Sequence, residues 1–205
     1  LNTISFDFTL DDAIVITSNK FTKEGFAGLK DIFTKDTFHG FFGKAKQLVA
    51  GGRYRPLTLV MFATEYQLFG LNPHVNHFIS VLLYALSGVV IFLLLRRLLQ
   101  KYNQPETFWS IPFIATLLFM AHPIHTEAVA NIKGRDEILC LLLSLLSVYW
   151  LFKYHDTKKT IWFAGGLIVF FLALLTKENA ITFIVLVPLA FYFFTEAKAK
   201  QIAIY

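Results

Sequence analysis

Apolar residues gather into five runs after residue 75, at 76–95, 108–121, 137–152, 161–176 and 180–195, with short polar connections between them. Runs of this length and hydropathy predict membrane-spanning helices. Several are short. Sixteen helical residues cover about 24 Å, less than the roughly 30 Å hydrocarbon core, so their polar ends belong at or just inside the interface. The predicted architecture is all-α, a polytopic membrane helical bundle over 76–205 preceded by an extramembranous segment over 1–75.

That first segment carries weaker helical signals. Residues 25–33 place Phe26, Leu29, Ile32 and Phe33 at spacings of three, three and one, a short amphipathic helix suited to a bilayer surface. A second stretch starts with Pro56 in a first turn, runs through Leu57, Val60, Met61, Thr64 and Leu68, and stops at Gly70. Glu65 and Gln67 argue against its full insertion, because an ionisable group at bilayer depth costs about 2.5 kcal/mol or more. Asn72, Pro73 and His74 then turn the chain into the first span.

Composition supports the membrane reading. Of 205 residues 56% are hydrophobic, 23 are Phe and only 16% are charged, whereas soluble domains are roughly a quarter charged. The net charge of +5 does not indicate nucleic acid, since no basic helix or aromatic-basic RNA motif accompanies it. Membrane lipids are the expected partner of the basic residues at the ends of apolar runs. The single cysteine, Cys140, lies within an apolar run and excludes a disulfide framework. The start at Leu1, without Met or a signal-type stretch, predicts a fragment whose first span lies upstream.

Lys and Arg set the orientation. Arg96, Arg97 and Lys101 follow the first span, Lys153, Lys158 and Lys159 the third, and Lys198 and Lys200 the fifth. The alternate connections hold only Lys133 and Arg135, then Lys177. The positive-inside rule puts the first set in the cytoplasm and makes residues 1–75 an extracytoplasmic first loop.

Three polar constellations fall on that extracytoplasmic side. The first contains Asp7, Asp11 and Asp12. Adjacent carboxylates raise one another's proton affinity, so such a pair suits a general base or a cation grip, although a bare acidic pair reads more readily as a solvated loop. The second runs from His122, Pro123 and His125 through Glu127 to Lys133, Arg135 and Asp136. Pro123 stops the apolar helix, Thr126 is a candidate cap, and Gly134 releases the chain into the next span. His122 and His125, with Glu127 nearby, lack a third firm metal ligand; anion binding by His125, Lys133 and Arg135 fits better. The third is Lys177 and Glu178, an interfacial salt bridge or part of a phosphate-binding wall. Together the clusters set carboxylates and cations at one depth, suiting a substrate with a lipid tail and a phosphate.

These residues carry a resemblance. Phe6, Asp7 and Phe8 through Asp11 and Asp12, the stretch ending Thr34, Lys35, Asp36, the run Tyr54, Arg55, Pro56, Leu57, Thr58, the octapeptide from His122 to Val129, then Gly134, Arg135, Asp136 and finally Lys177, Glu178 closely resemble the transmembrane and tetratricopeptide-repeat O-mannosyltransferases. Those enzymes are glycosyltransferases of the GT-C superfamily. The octapeptide is specific and the similarity spans essentially the whole chain. Lys133 before the glycine and an insertion-like loop over 40–52 depart from the family.

The resemblance implies a GT-C type bundle and an inverting transfer of a hexose, mannose by analogy. The donor is a polyprenyl-phosphate-linked sugar, and the acceptor is a hydroxyl on a protein or glycolipid. It places Asp11 and Asp12 as the candidate base, Asp12 slightly preferred. Arg135, Lys177, His125 and His122 are expected to hold the departing phosphate, whose charge grows in the transition state. Asp7, Asp36, Arg55, Glu127, Asp136 and Glu178 are expected in supporting positions. No cofactor is implied, and metal use stays open. The membrane is a bacterial inner membrane or the endoplasmic reticulum, with the site on the periplasmic or lumenal side. A lipid-substrate transporter or flippase, or a non-catalytic scaffold, are the rival readings.

Overall fold

The computed structural model describes residues 2–44, 53–102 and 109–196. Among these residues every regular element is helical and there is no strand, so the protein is an all-α membrane protein. In chain order the helices are α1 (Lys20–Lys23), α2 (Leu29–Thr34), α3 (Thr37–Phe42), α4 (Pro56–Phe69), α5 (Pro73–Leu98), α6 (Ile111–Ala121), α7 (Thr126–Ala130), α8 (Arg135–Thr157), α9 (Thr160–Thr176) and α10 (Phe183–Phe194). Residues 45–52 of the insertion-like loop, and Lys198 and Lys200, lie outside the described residues.

Five apolar helices stand where the five runs predict them, but they differ in reach. Two stretches, Pro73–Leu98 and Ile132–Thr157, are long and apolar enough to cross a membrane. Each has 26 residues, about 39 Å at 1.5 Å per residue. Ile111–Ala121 and Pro123–Ala130 pass the same test as a pair bent by 50°. The break falls at Pro123, which has no N–H to give the preceding turn. Thr160–Thr176 and Glu178–Phe194 are shorter apolar helices.

The chain forms two compact units. The first comprises Leu1–Tyr84, Pro123–Leu139 and Leu175–Lys177. Its core is Val15, Ile16, Phe21, Ile32, Leu59, Phe62, Ala63 and Ile132, all buried. Asn19 organises the loop around this core. Its buried side chain caps α1 by accepting from the Phe21 N–H at 3.1 Å and the Thr22 N–H at 3.4 Å, and its amide donates to the carbonyls of Ile14 at 2.9 Å and Thr37 at 3.0 Å. Four groups are thereby satisfied away from water. The surface helix expected over 25–33 is broken into a 3₁₀ turn, Gly25–Gly28, and α2. Gly28 at the junction is closely packed, and a Cβ there would lie 2.0 Å from the Phe21 carbonyl oxygen. Ile32 faces the core while Phe26 and Phe33 stay exposed.

The stretch beginning at Pro56 is one helix, α4, ended by Gly70 at φ 65°. It is packed into the first unit through Leu59, Phe62 and Ala63. Glu65, expected to keep this helix at a wet surface, is itself buried.

The second unit comprises Ala85–His122, Cys140–Leu174 and Glu178–Tyr205. Leu94, Val148, Leu151, Phe152, Val187 and Phe191 form one buried cluster, with the Phe152 and Phe191 rings stacked at 4.4 Å. Small residues let α8 and α9 approach: a Cβ on Gly165 would come within 2.8 Å of the Trp150 ring. Buried Ser147 donates to the Gly166 carbonyl at 2.9 Å. Close backbone approach with a serine bond across it is how helices associate where the surroundings are as apolar as the side chains. Cys140 is buried beside Ala173 and Ala180, a small packed residue.

Candidate active site

The acidic loop and the 123–139 hairpin meet within the first unit, and the two aspartates do different things there. Asp12 is fully buried. Its Oδ2 accepts from the Thr9 N–H at 2.8 Å and the Thr9 hydroxyl at 3.1 Å, and its Oδ1 accepts from the Lys133 N–H at 2.8 Å. Asp11 points the other way, with 52% of its side chain exposed, and accepts from the Lys133 ammonium at 2.7 Å. That hydrogen bond and the charge of Lys133, with a smaller contribution from Arg53, hold the Asp11 carboxyl below its ordinary value. Asp7 is exposed and accepts from the next residue's N–H, Phe8, at 2.7 Å.

The hairpin is built to present Lys133. His122 ends α6, a 3₁₀ turn covers Pro123–His125, and α7 begins at Thr126. Thr126 is thus the first helical residue rather than the cap, a position taken by His125, whose side chain does not cap the helix. The true side-chain cap is Asn131, whose Oδ1 accepts from the Lys133 N–H at 3.1 Å and starts the 3₁₀ turn Ile132–Gly134. Gly134 closes that turn: a Cβ there would lie 2.7 Å from the Ala128 carbonyl oxygen and 2.9 Å from its Cα. Ile132 is buried in the core of the unit, which fixes the residue beside it.

Arg135 opens α8 from inside the protein. It is fully buried. Its Nε donates to the Ser80 hydroxyl at 3.1 Å, its Nη2 to the Asn76 carbonyl at 2.6 Å, and its Nη1 pairs with Glu65. The Asn76 amide donates to the other Glu65 oxygen at 2.5 Å, and the guanidinium lies 4.6 Å above the Phe62 ring. All three guanidinium nitrogens are engaged, so this geometry suits Arg135 to holding α4, α5 and α8 together rather than to meeting a phosphate. Its neighbour Asp136 pairs with Arg55, both largely buried.

Lys177 pairs with Glu137 at the head of α8, a partner the sequence reading did not anticipate beside the adjacent Glu178. His125 is half-buried with its ring 6.0 Å from that of Tyr84, and Glu127 is exposed. Asp36 caps α3, accepting from Phe38 N–H at 2.8 Å and His39 N–H at 3.1 Å. His122 and Glu178 belong to the second unit. Of the twelve site residues expected, Asp7, Asp11, Asp12, Asp36, Arg55, His125, Glu127, Arg135, Asp136 and Lys177 therefore share the first unit. Among the described residues no group of three or more His, Cys, Asp or Glu converges as a metal site.

Sequence reasoning missed the partners of Arg135. An acid such as Glu65 within an apolar helix demands a buried cation, and Asn76 and Ser80 lie one turn apart on a single face of α5. Both signals were present. His77, on the same helix, is fully buried with neither ring nitrogen in a hydrogen bond of good geometry, and Phe6 packs edge-on at 6.3 Å.

Residues 55–204 match the family model described as dolichyl-phosphate-mannose-protein mannosyltransferase. The human Protein O-mannosyl-transferase TMTC2 is 31% identical over 210 residues, covering 98% of this chain and 24% of that protein. The mouse Protein O-mannosyl-transferase TMTC4 is 32% identical over 192 residues, covering 86% and 25%. The Caenorhabditis elegans Protein O-mannosyl-transferase F38B6.6 is 32% identical over 149 residues, covering 72% and 20%. The chain spans a quarter or less of the length of these curated relatives. No solved structure matches the chain.

Proposed function

The chain belongs to the dolichyl-phosphate-mannose-protein mannosyltransferase family, and from that premise we propose that it forms the acceptor-activating part of a membrane mannosyltransferase. The donor is a polyprenyl-phosphate-linked mannose and the acceptor a hydroxyl, on protein Ser or Thr. The distribution of Lys and Arg supports placing the first unit, and so the reaction, on the extracytoplasmic face of a multi-pass membrane protein.

The observation that carries the reading is the division of labour in the acidic pair. A base must reach the proton it removes. Asp11 is half exposed and Asp12 fully enclosed, so the base is Asp11, and Asp12 braces the loop. The acceptor oxygen attacks the anomeric carbon while its proton passes to the Asp11 carboxylate. The bond from that carbon to the phosphate oxygen breaks, the electron pair leaves with the lipid phosphate, and the single displacement inverts the anomeric centre. Charge accumulates on the departing phosphate, and two cations of this unit, Lys133 at a partly exposed rim and Lys177 largely buried beside Glu137, answer it. Arg135 acts indirectly, by fixing the head of α8 next to them.

The test is mannose transfer from dolichyl-phosphate mannose by the full-length protein in lipid nanodiscs. Asp11→Asn is expected to lower turnover by about a hundredfold or more, the range for a lost general base. Unchanged transfer by that variant removes Asp11 from the chemistry, and no transfer by the wild type overturns the enzymatic reading.

A further inference from the structure

The Lys133 side chain sits on the proposed base, in a partly wet ion pair that joins the acidic loop to the hairpin within the first unit. We propose that Lys133 is an exchangeable cation: its ammonium leaves Asp11 for the phosphate of the donor, so donor arrival is what frees the Asp11 carboxylate for the acceptor hydroxyl. This rests on the reading of the donor as a lipid phosphate.

Three features support the exchange. The Lys133 backbone is fixed, its N–H held by Asp12 at 2.8 Å and Asn131 at 3.1 Å between buried Ile132 and tightly packed Gly134. Only the side chain is left to move. Its flexible four-carbon stem swings a compact point charge, which suits it to changing partners.

The pair it would give up is cheap to break. Lys133 and Asp11 retain 22% and 52% side-chain exposure and share one contact; wet pairs of this kind are worth roughly 0.2–1 kcal/mol. Arg135 and Glu65, at 0% and 8%, are the opposite case, where removal of one partner strands a buried charge. The donor phosphate, a diester with one negative charge spread over two free oxygens, takes the ammonium in place of that exposed carboxylate, and its charge grows as the sugar leaves.

Finally, the contact restrains the reaction while it lasts. A carboxylate hydrogen-bonded to an ammonium is a poor proton acceptor. The charged groups acting on Asp11 are Lys133 from the hairpin and Arg53 from the segment before α4. Departure of Lys133 removes the largest of the restraining influences and leaves Arg53 in place. Donor before acceptor then becomes the order of binding, which protects an activated base from idle encounters with water.

The experiment measures dolichyl phosphate binding, without sugar, to the full-length protein in nanodiscs at fixed salt. Asp11→Asn, which removes the competing carboxylate, is expected to bind two- to fivefold more tightly than wild type, the range set by an exposed pair. Lys133→Met is expected to bind more weakly, the double variant to match Lys133→Met, and Lys133→Arg to stay near wild type. Asp31→Asn, elsewhere in the first unit, controls for the loss of one negative charge and should change nothing. A merely structural contact predicts that Asp11→Asn binds equally or worse. That result, with a binding wild type, overturns the exchange alone; a wild type that binds no dolichyl phosphate overturns the donor reading and the exchange with it.

Discussion

Glu65 on α4 and Arg135 on α8, seventy residues apart in sequence, form a buried ion pair in which neither side chain reaches water appreciably. The pair is completed by Asn76 and Ser80 of α5, so one polar network ties three helices at the place where the hairpin enters α8. Such networks are satisfied as a whole or not at all.

Removing one member should therefore cost more than removing both. Glu65→Ala and Arg135→Met are each expected to destabilise the protein by about 3–5 kcal/mol, because each leaves a buried charge alone. The double variant should recover a substantial part of that loss. Denaturant unfolding in detergent across the four proteins measures the coupling, and strictly additive losses would show that the two residues act independently.

Asp12→Asn should behave unlike Asp11→Asn. Asp12 accepts three hydrogen bonds away from solvent, and an amide turns one accepting oxygen into a donor facing other donors. A loss of about 1–3 kcal/mol follows. The expected pattern is a lowered melting temperature for Asp12→Asn with residual transfer in the folded fraction, against a wild-type melting temperature for Asp11→Asn.

Gly134→Ala tests the hairpin turn. Its Cβ would press on backbone at 2.7 Å and 2.9 Å, which no side-chain rotation relieves, so a cost of about 1–3 kcal/mol is expected. Faster hydrogen exchange over 131–135, with α9 unchanged, is the signature of a local effect.

Acid should erase the contribution of the contact between Asp11 and Lys133. The folded-state carboxyl titrates below its unfolded value, so the stability it adds is fully present above the unfolded value, near pH 4, and is lost as pH falls through the folded one. Wild type and Lys133→Met should differ by less than about 1 kcal/mol at neutral pH, since Asp11 is half exposed. Their unfolding curves should converge toward pH 3 or below.

The helices were legible because apolar runs and their punctuation are local. Pro56, Gly70 and Pro123 mark real boundaries of α4 and of the bend after α6, since a missing N–H or a positive φ acts within one turn. The site was legible as a set of residues and not as a set of roles. Arg135 and Lys133 are two positions apart and both basic, yet one lies at 0% exposure inside a network and the other at a wet rim. Asp11 and Asp12 divide in the same way. Which member of such a pair turns inward depends on partners such as Glu65 or the Lys133 N–H, seventy or more residues away, and periodicity carries no record of them. The close approach of the Phe21 carbonyl to Gly28, within the 25–33 stretch, is likewise a packing event.

Asp12 takes hold of residue 133 through its main chain, and Asp11 through its side chain. The two grips are separable: any residue but proline keeps the first, whereas the second depends on what the side chain is. Position 133 is thus a dial mounted on an immovable shaft, where one codon retunes how readily the acid is released without disturbing the loop that carries it.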